Sequence, residues 1–179
     1  CMVASNGFEG EVSSSSFSLG ASVSIKGEGD ARPESYWYDS SLYYDTLIKE
    51  GLGNKALERV LRKLGQKKVA SGKYQAVIDN MNSSQALSPI ISALYGSSIQ
   101  QKNSFLLDKL DQKVLGDKLT LIDEPHLVKA SGARYFDNEG VATKRMPVFE
   151  KGVLKTYFID TYSANKMETK QTISSPSIL

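Results

Sequence analysis

The stretch Met146-Pro147-Val148-Phe149-Glu150, Lys151-Gly152, then Val153 to Asp160 constrains this chain more than any other. Two apolar runs flank a two-residue Lys-Gly turn whose glycine can take a positive φ, the pattern of an antiparallel hairpin. In the return strand, expected over Val153–Asp160, Val153, Lys155, Tyr157 and Ile159 share one face. Leu154, Thr156, Phe158 and Asp160 share the other, because strand side chains alternate. Both faces carry large apolar groups, so the strand should be covered on both sides. Pro147 cannot donate to a ladder, so the first strand should lie at a sheet edge or begin near that residue. Before the hairpin, Asp137-Asn138-Glu139-Gly140 reads as an acidic turn. After it, Ser163 is placed to cap a helix starting at Ala164.

Most of the remaining chain also reads as hairpins and short helices. Residues 1–26 contain an Asn6-Gly7 turn and an alternating strand, Phe17, Leu19, Ala21, Val23 and Ile25, with serines 13–16 between strands. Gly27-Glu28-Gly29-Asp30 is a turn rather than a phosphate loop, since it lacks a third glycine and a following helix. Residues 34–48 read as one long aromatic strand, with Tyr36, Tyr38 and Tyr44 opposite Trp37 and Tyr43. Inter-strand packing is the first account of those rings, and a peptide-stacking surface the second. Residues 54–64 are the clearest helix, with Ala56, Leu57, Val60, Leu61 and Leu64 inward, Asn54 as N-cap and Gly65 as C-cap. Tyr74–Ile78 reads as a short strand and 83–95 as a helix that Pro89 kinks or delays. Phe105–Leu107 is expected as a short helix or packed loop, and Leu119–Ile122 as a strand. Strands and helices alternate irregularly, so the expected fold class is α+β: a largely antiparallel sheet with hairpins and a few packed amphipathic helices. Its 179 residues are expected to form a single domain, 1–179.

Composition excludes several functions. A net charge of +2 is too small to suggest direct nucleic-acid binding. The Lys and Arg residues at 59–63 and at 67–68 are read as the solvated face of one helix. No apolar run reaches the roughly 18 residues of a membrane span. The one cysteine, Cys1, allows no internal disulfide, so the cytoplasm is the expected location. Cys1 at the start also reads as a chain beginning at a cut.

The landmarks "SYWYDSSLYYD" at 35–45, "GNKALERVLRKLG" at 53–65, "SSIQQKNSFLLDKLDQKV" at 97–114, "LTLIDEPHL" at 119–127 and "FDNEGVATKRMPVFEKGVLKTYFIDTYSANKM" at 136–167 resemble, in order and spacing, the TldD and TldE (PmbA) family, long labelled modulators of DNA gyrase. The resemblance covers nearly the whole chain and is similar to a middle slice of such a protein. TldD-like members resemble zinc peptidases and carry His-Glu-x-x-x-His. TldE/PmbA-like members lack that motif and act as the partner subunit. Asn103-Ser104-Phe105-Leu106-Leu107-Asp108 resembles the TldE/PmbA branch, and the segment matching the TldD histidines, Ser88–Leu94, holds neither His nor Glu. The chain departs from its relatives after Met167, where they show a Gly- and Asn-containing stretch.

The resemblance implies a non-catalytic subunit pairing with a zinc-bearing TldD-like metallopeptidase in proteolysis of peptides, which would enter by strand addition. It implies no catalytic, cofactor or metal residue in this chain, with zinc expected in the partner. Whether the chain is itself part of an enzyme stays open. Asp137, Gly140, Thr143, Arg145, Gly152, Ser163 and Ala164 are the family-motif positions, read as structural or interface residues. A chain ending at Leu179 in mid-domain would expose a strand edge, so self-association is a further expectation.

Two other readings remain. One is a self-sufficient hydrolase built on His126, the only histidine, within Asp123-Glu124-Pro125-His126. A zinc peptidase of the His-Glu type needs two imidazoles and a third ligand, which one histidine cannot supply. A Ser-His-Asp triad would have to recruit Ser98, Ser104 or Ser131, none of them in a Gly-x-Ser-x-Gly elbow. Asp137, Glu139 and Asp160 lack the ligand ladder of a calcium loop, and turn chemistry accounts better for them. The other reading is a non-enzymatic modulator of DNA gyrase.

Overall fold

In a computed structural model, residues 1–179 are all described, and the fold is α+β. The backbone divides into two compact units, Ser13–Gln75 and the remainder, Cys1–Val12 with Ala76–Leu179. The stretch 1–179, read from sequence as one domain, is accordingly described in two parts, each by itself.

The second of these units begins with a small hairpin, β1 (Met2–Val3) against β2 (Glu9–Gly10). Its turn is the expected Asn6-Gly7. Gly7 has φ +90°, and the Phe8 N–H donates to Asn6 Oδ1 at 3.0 Å.

In Ser13–Gln75, β3 (Phe17–Ser24) pairs antiparallel with β4 (Glu34–Ser41), Ala21 opposite Trp37 and Val23 opposite Ser35. The alternation works as read for one face, where Ala21, Val23, Ser35 and Trp37 turn inward while Tyr36 and Tyr38 are exposed. Helix α1 (Leu52–Leu61) packs on that inward face through Leu52, Ala56 and Val60. Lys55 and Arg59 of α1 lie over the Trp37 ring, about 5 Å from its centroid by cation–π geometry (5.1 and 5.2 Å). The aromatic strand is shorter than its sequence suggested. It ends at Ser41, where the Tyr43 N–H bonds the Ser41 hydroxyl, and a 3-10 turn, Tyr44–Thr46, follows. The helix caps also differ. α1 starts after Gly51, at φ +75°, rather than at Asn54, and Gly65, at φ +70°, lies beyond the last helical turn.

In Ala76–Leu179, α2 (Ser83–Ser92), α3 (Gly96–Gln100), β5 (Leu121–Asp123), β6 (Met146–Glu150), β7 (Val153–Leu154) and α4 (Thr161–Lys166) surround one core. Leu94, Leu106, Val148, Phe149, Leu154 and Phe158 are its fully buried members. Each such side chain contributes about 1.5–3 kcal/mol against the entropy of ordering it. The sheet order is β5-β6-β7, all antiparallel. Pro147 therefore sits in the middle strand and not at an edge. It is tolerated because it is the second residue of β6 and the ladder slips register beside it, between Leu121 and Ile122. The return strand is regular only at Val153–Leu154. Beyond it the backbone finds other partners: the Phe158 N–H donates to the Leu94 carbonyl, and the Thr172 hydroxyl to the Tyr157 carbonyl. Tyr74–Ile78 forms no strand. Val77 is fully exposed there, so nothing packs on the segment to hold it as a strand. The helix expected over 83–95 forms as α2 and ends at Ser92, and a separate short helix, α3, starts at Gly96, whose N–H donates to the Phe158 carbonyl. Pro89 lies inside α2.

Candidate functional site

Three of the family-motif residues, Asp137, Gly140 and Thr143, gather on the loop before β6. The Asp137 N–H donates to the Val141 carbonyl at 2.9 Å, and the Gly140 N–H to the Asp137 carbonyl at 3.1 Å, closing a tight hairpin. Gly140 takes φ +78° against the Phe8 ring, where a Cβ would meet ring carbons at 2.9–3.0 Å. The Asp137 carboxylate is 2 % exposed. Its Oδ1 accepts from the Glu139 and Val141 N–H groups at 2.9 Å each, and its Oδ2 from the Ser174 N–H at 2.8 Å. Burial pushes this carboxyl up, but the N–H groups of Ser174, Glu139 and Val141 outweigh it and hold the acid below the ordinary carboxylate range. Thr143 is buried on the same loop. Its hydroxyl donates to the Arg134 carbonyl at 2.5 Å and meets His126 Nε2 at 3.2 Å.

A strap formed by residues 172–178 closes over this loop through three side chains. Besides Asp137 at Ser174, Arg134 donates to the Ser175 and Pro176 carbonyls and the Ser177 hydroxyl. Asp123, fully buried, accepts from the Ser177 and Ile178 N–H groups at 2.8 and 2.7 Å, while its other oxygen has no partner. Sequence reading missed Asp123 and Arg134 as strap holders. The partners lie more than 40 residues downstream, and no local spacing announces them.

The other motif positions lie apart. Arg145 pairs with Glu124 at 2.8 Å on the surface. Gly152 makes the β6–β7 turn at φ +77° and is clamped: its N–H donates to the Leu119 carbonyl, and its carbonyl accepts from Val114 and Leu115. Ser163 and Ala164 are buried in α4, with the Ser163 side chain against Gly96 of α3. The helix cap is Asp160, whose Oδ1 accepts the Ser163 N–H at 2.7 Å, and not Ser163. An Asp three residues before Ser163 was the available signal.

The donor set does not fit zinc. His126 is exposed and stands against Thr143 and the Tyr135 ring, with centroids 5.4 Å apart. No three His, Cys, Asp or Glu side chains converge. Glu139 Oε2 accepts from the Thr161 N–H and hydroxyl, Asp160 Oδ1 from the Ser163 N–H, and both Asp137 oxygens from backbone N–H groups, so each carboxylate is tied to this chain. His126 bonds a threonine, and none of the serines considered for a triad bonds it: Ser98 and Ser104 donate to backbone carbonyls of Ser92 and Ala93. No helix is long and apolar enough to cross a membrane.

Two family models match, the PmbA/TldA metallopeptidase central domain over residues 2–64 and the PmbA/TldA metallopeptidase C-terminal domain over 71–177. The chain belongs to the PmbA/TldD family. It is similar to a metalloprotease PmbA homolog of Buchnera aphidicola, 34% identical over 136 residues, which are 75% of this chain and 30% of that protein. A crystal structure of a protein provisionally named a modulator of DNA gyrase, from Bacteroides thetaiotaomicron, superposes with TM-score 0.94 at 69% identity, over 97% of this chain and 40% of that one. TldE of Thermococcus kodakarensis shares the fold, with TM-score 0.65 at 20% identity over 88% of this chain and 36% of that one. The chain spans about a third of the length of the curated PmbA relatives it matches. The resemblance expected from the sequence is thus the family found.

Proposed function

We propose that this chain is part of a PmbA/TldE-like subunit that contributes no catalytic group from these residues and pairs with a zinc-bearing TldD-like metallopeptidase in peptide proteolysis. The observation that carries it is the use of the motif carboxylates. Asp137, Glu139 and Asp160 are held by backbone N–H groups and a threonine, so they build turns and a helix cap instead of facing a substrate. The single imidazole is engaged with Thr143. The kinship to proteins named PmbA supports the branch. Zinc would then be held by the partner, and the cytoplasm is the compartment proposed for the pair.

The test uses the full-length protein and its His126→Ala variant, each assayed with and without the TldD-like subunit. Zinc and peptidase activity that appear only with the partner, unchanged by His126→Ala, support the proposal. Activity of the purified protein alone that disappears with His126→Ala would reverse it in favour of a self-sufficient hydrolase. The gyrase-modulator reading gains no separate support from this geometry.

A further inference from the structure

Within Ser13–Gln75, the turn joining β3 to β4 and the residues following α1 enclose a cleft of about 680 Å³. Three cationic side chains line it, Lys26, Arg32 and Lys63, against one carboxylate, Glu28. None of the three cations is in an ion pair. The Arg32 guanidinium donates to the Ala31 carbonyl at 3.2 Å, and the Lys63 ammonium to the Glu34 carbonyl. The Glu34 carboxylate accepts instead from the Ser22 hydroxyl at 2.5 Å. The turn is fixed by the Gly27 N–H on the Ala31 carbonyl, the Ala31 N–H on Glu28 and the Ile25 N–H on Pro33. Lys26 and Arg32 are therefore held across from each other at the base of a built loop that lines the cleft.

We propose that this cleft is an anion site that takes the carboxylates of an extended acidic peptide. Unpaired cations around a concavity focus the field into it and raise the local concentration of negative groups. The class of anion follows from what else lines the cleft. Beyond α1, the N–H groups of Lys63 and Leu64 turn back to the Val60 and Leu61 carbonyls and are not free for an anion. The Gly27 N–H is also spent. A compact dianion such as phosphate is favoured by converging N–H groups, and this cleft offers two lysine ammoniums and a guanidinium fork that matches a carboxylate instead. Side-chain carboxylates on an extended chain can reach both the Lys26–Arg32 pair and Lys63, and Glu28 can answer a peptide cation. The inference names a chemistry for the peptide in the proposed function and rests on that reading. It is tested without the partner subunit, so its failure is separable from a failure to pair.

The experiment is a fluorescence-anisotropy titration of the purified full-length protein with a labelled peptide of spaced Glu residues, and with the same peptide carrying Gln. The Glu peptide is expected to bind and the Gln peptide not. Binding should weaken as salt rises from about 50 to 300 mM, as screened surface charges require. Arg32→Gln and Lys63→Gln, both exposed, should each weaken binding about two- to five-fold, while Lys49→Gln, which lies over the Tyr44 ring, should not. Equal binding of the two peptides, or unchanged affinity in both cleft variants, would overturn the proposal. So would inorganic phosphate competing for Arg32 and Lys63 while the Glu peptide fails to bind.

Discussion

Gly152 offers the sharpest quantitative test of the packing described. It holds φ +77°, and an added Cβ would fall inside van der Waals contact of the Leu115 carbonyl oxygen, with the Leu115 carbon at 2.7 Å and the Gly116 oxygen at 2.8 Å. Three backbone hydrogen bonds, to Leu119 and from Val114 and Leu115, stop the turn from moving away. Left-handed strain costs a non-glycine residue about 1–2 kcal/mol, and overpacking against fixed backbone about 1–3 kcal/mol more. Gly152→Ala should therefore lose about 2–5 kcal/mol, a large fraction of a domain's 5–15 or so. Gly7 is the control, in the same compact unit. It has φ +90° with nothing within 4 Å of an added Cβ, so Gly7→Ala should lose the strain of about 1–2 kcal/mol alone. Urea unfolding of the full-length variants, followed by far-ultraviolet circular dichroism, compares the two. A Gly152→Ala variant no less stable than Gly7→Ala would refute the clamp. A variant that does not accumulate folded, beside a folded Gly7→Ala, is what the clamp predicts.

Three further outcomes follow from the same geometry. Asp137→Asn should cost about 1–3 kcal/mol near neutral pH, because the amide turns a donor toward one of three N–H groups. The folded-state pKa of Asp137 is depressed, so its contribution is present above the unfolded value of about 3.9 and fades as pH falls through the lower folded value. The gap between the two proteins in pH-dependent denaturation should accordingly narrow in acid; a gap that widens would contradict the assignment. Gly96→Ala should lose about 1–3 kcal/mol, since its Cβ would stand 2.8 Å from that of Ser163, and Ser163→Gly should recover part of it in a double-mutant cycle. Leu94→Ala, in the fully buried core, should cost about 2–5 kcal/mol in the same unfolding assay; a loss under 1 would place Leu94 outside the cooperative core.

Where the sequence could be read and where it could not divides along range. Asn6-Gly7 and Lys151-Gly152 are local signals, and both turns form. The alternation at Ala21 and Val23 and the stripe at Ala56 and Val60 were readable because a partner face exists in the same compact unit. Tyr74–Ile78 reads as a short strand and forms none, since its residues do not supply a partner strand. The return strand stops at Leu154, short of the expected Asp160, because Phe158 and Ile159 bond to Leu94 and to Thr172, groups outside any hairpin pattern. The Asp137 turn was legible, but its most consequential bond, to Ser174, spans 37 residues. Asp123 and Arg134 were invisible for the same reason. The motif residues are thus largely accounted for by backbone satisfaction, which composition could not have distinguished from metal binding.

The central claim is that this chain belongs to a partner subunit whose chemistry resides elsewhere. Affinity purification of the full-length protein from its native lysate, with zinc and peptidase activity measured on the eluate, tests it most directly. The account predicts that a His-Glu-x-x-x-His homologue co-purifies, and that zinc and activity track that homologue through dissociation of the complex. Zinc and activity that stay with the isolated full-length protein after the homologue is removed would contradict it.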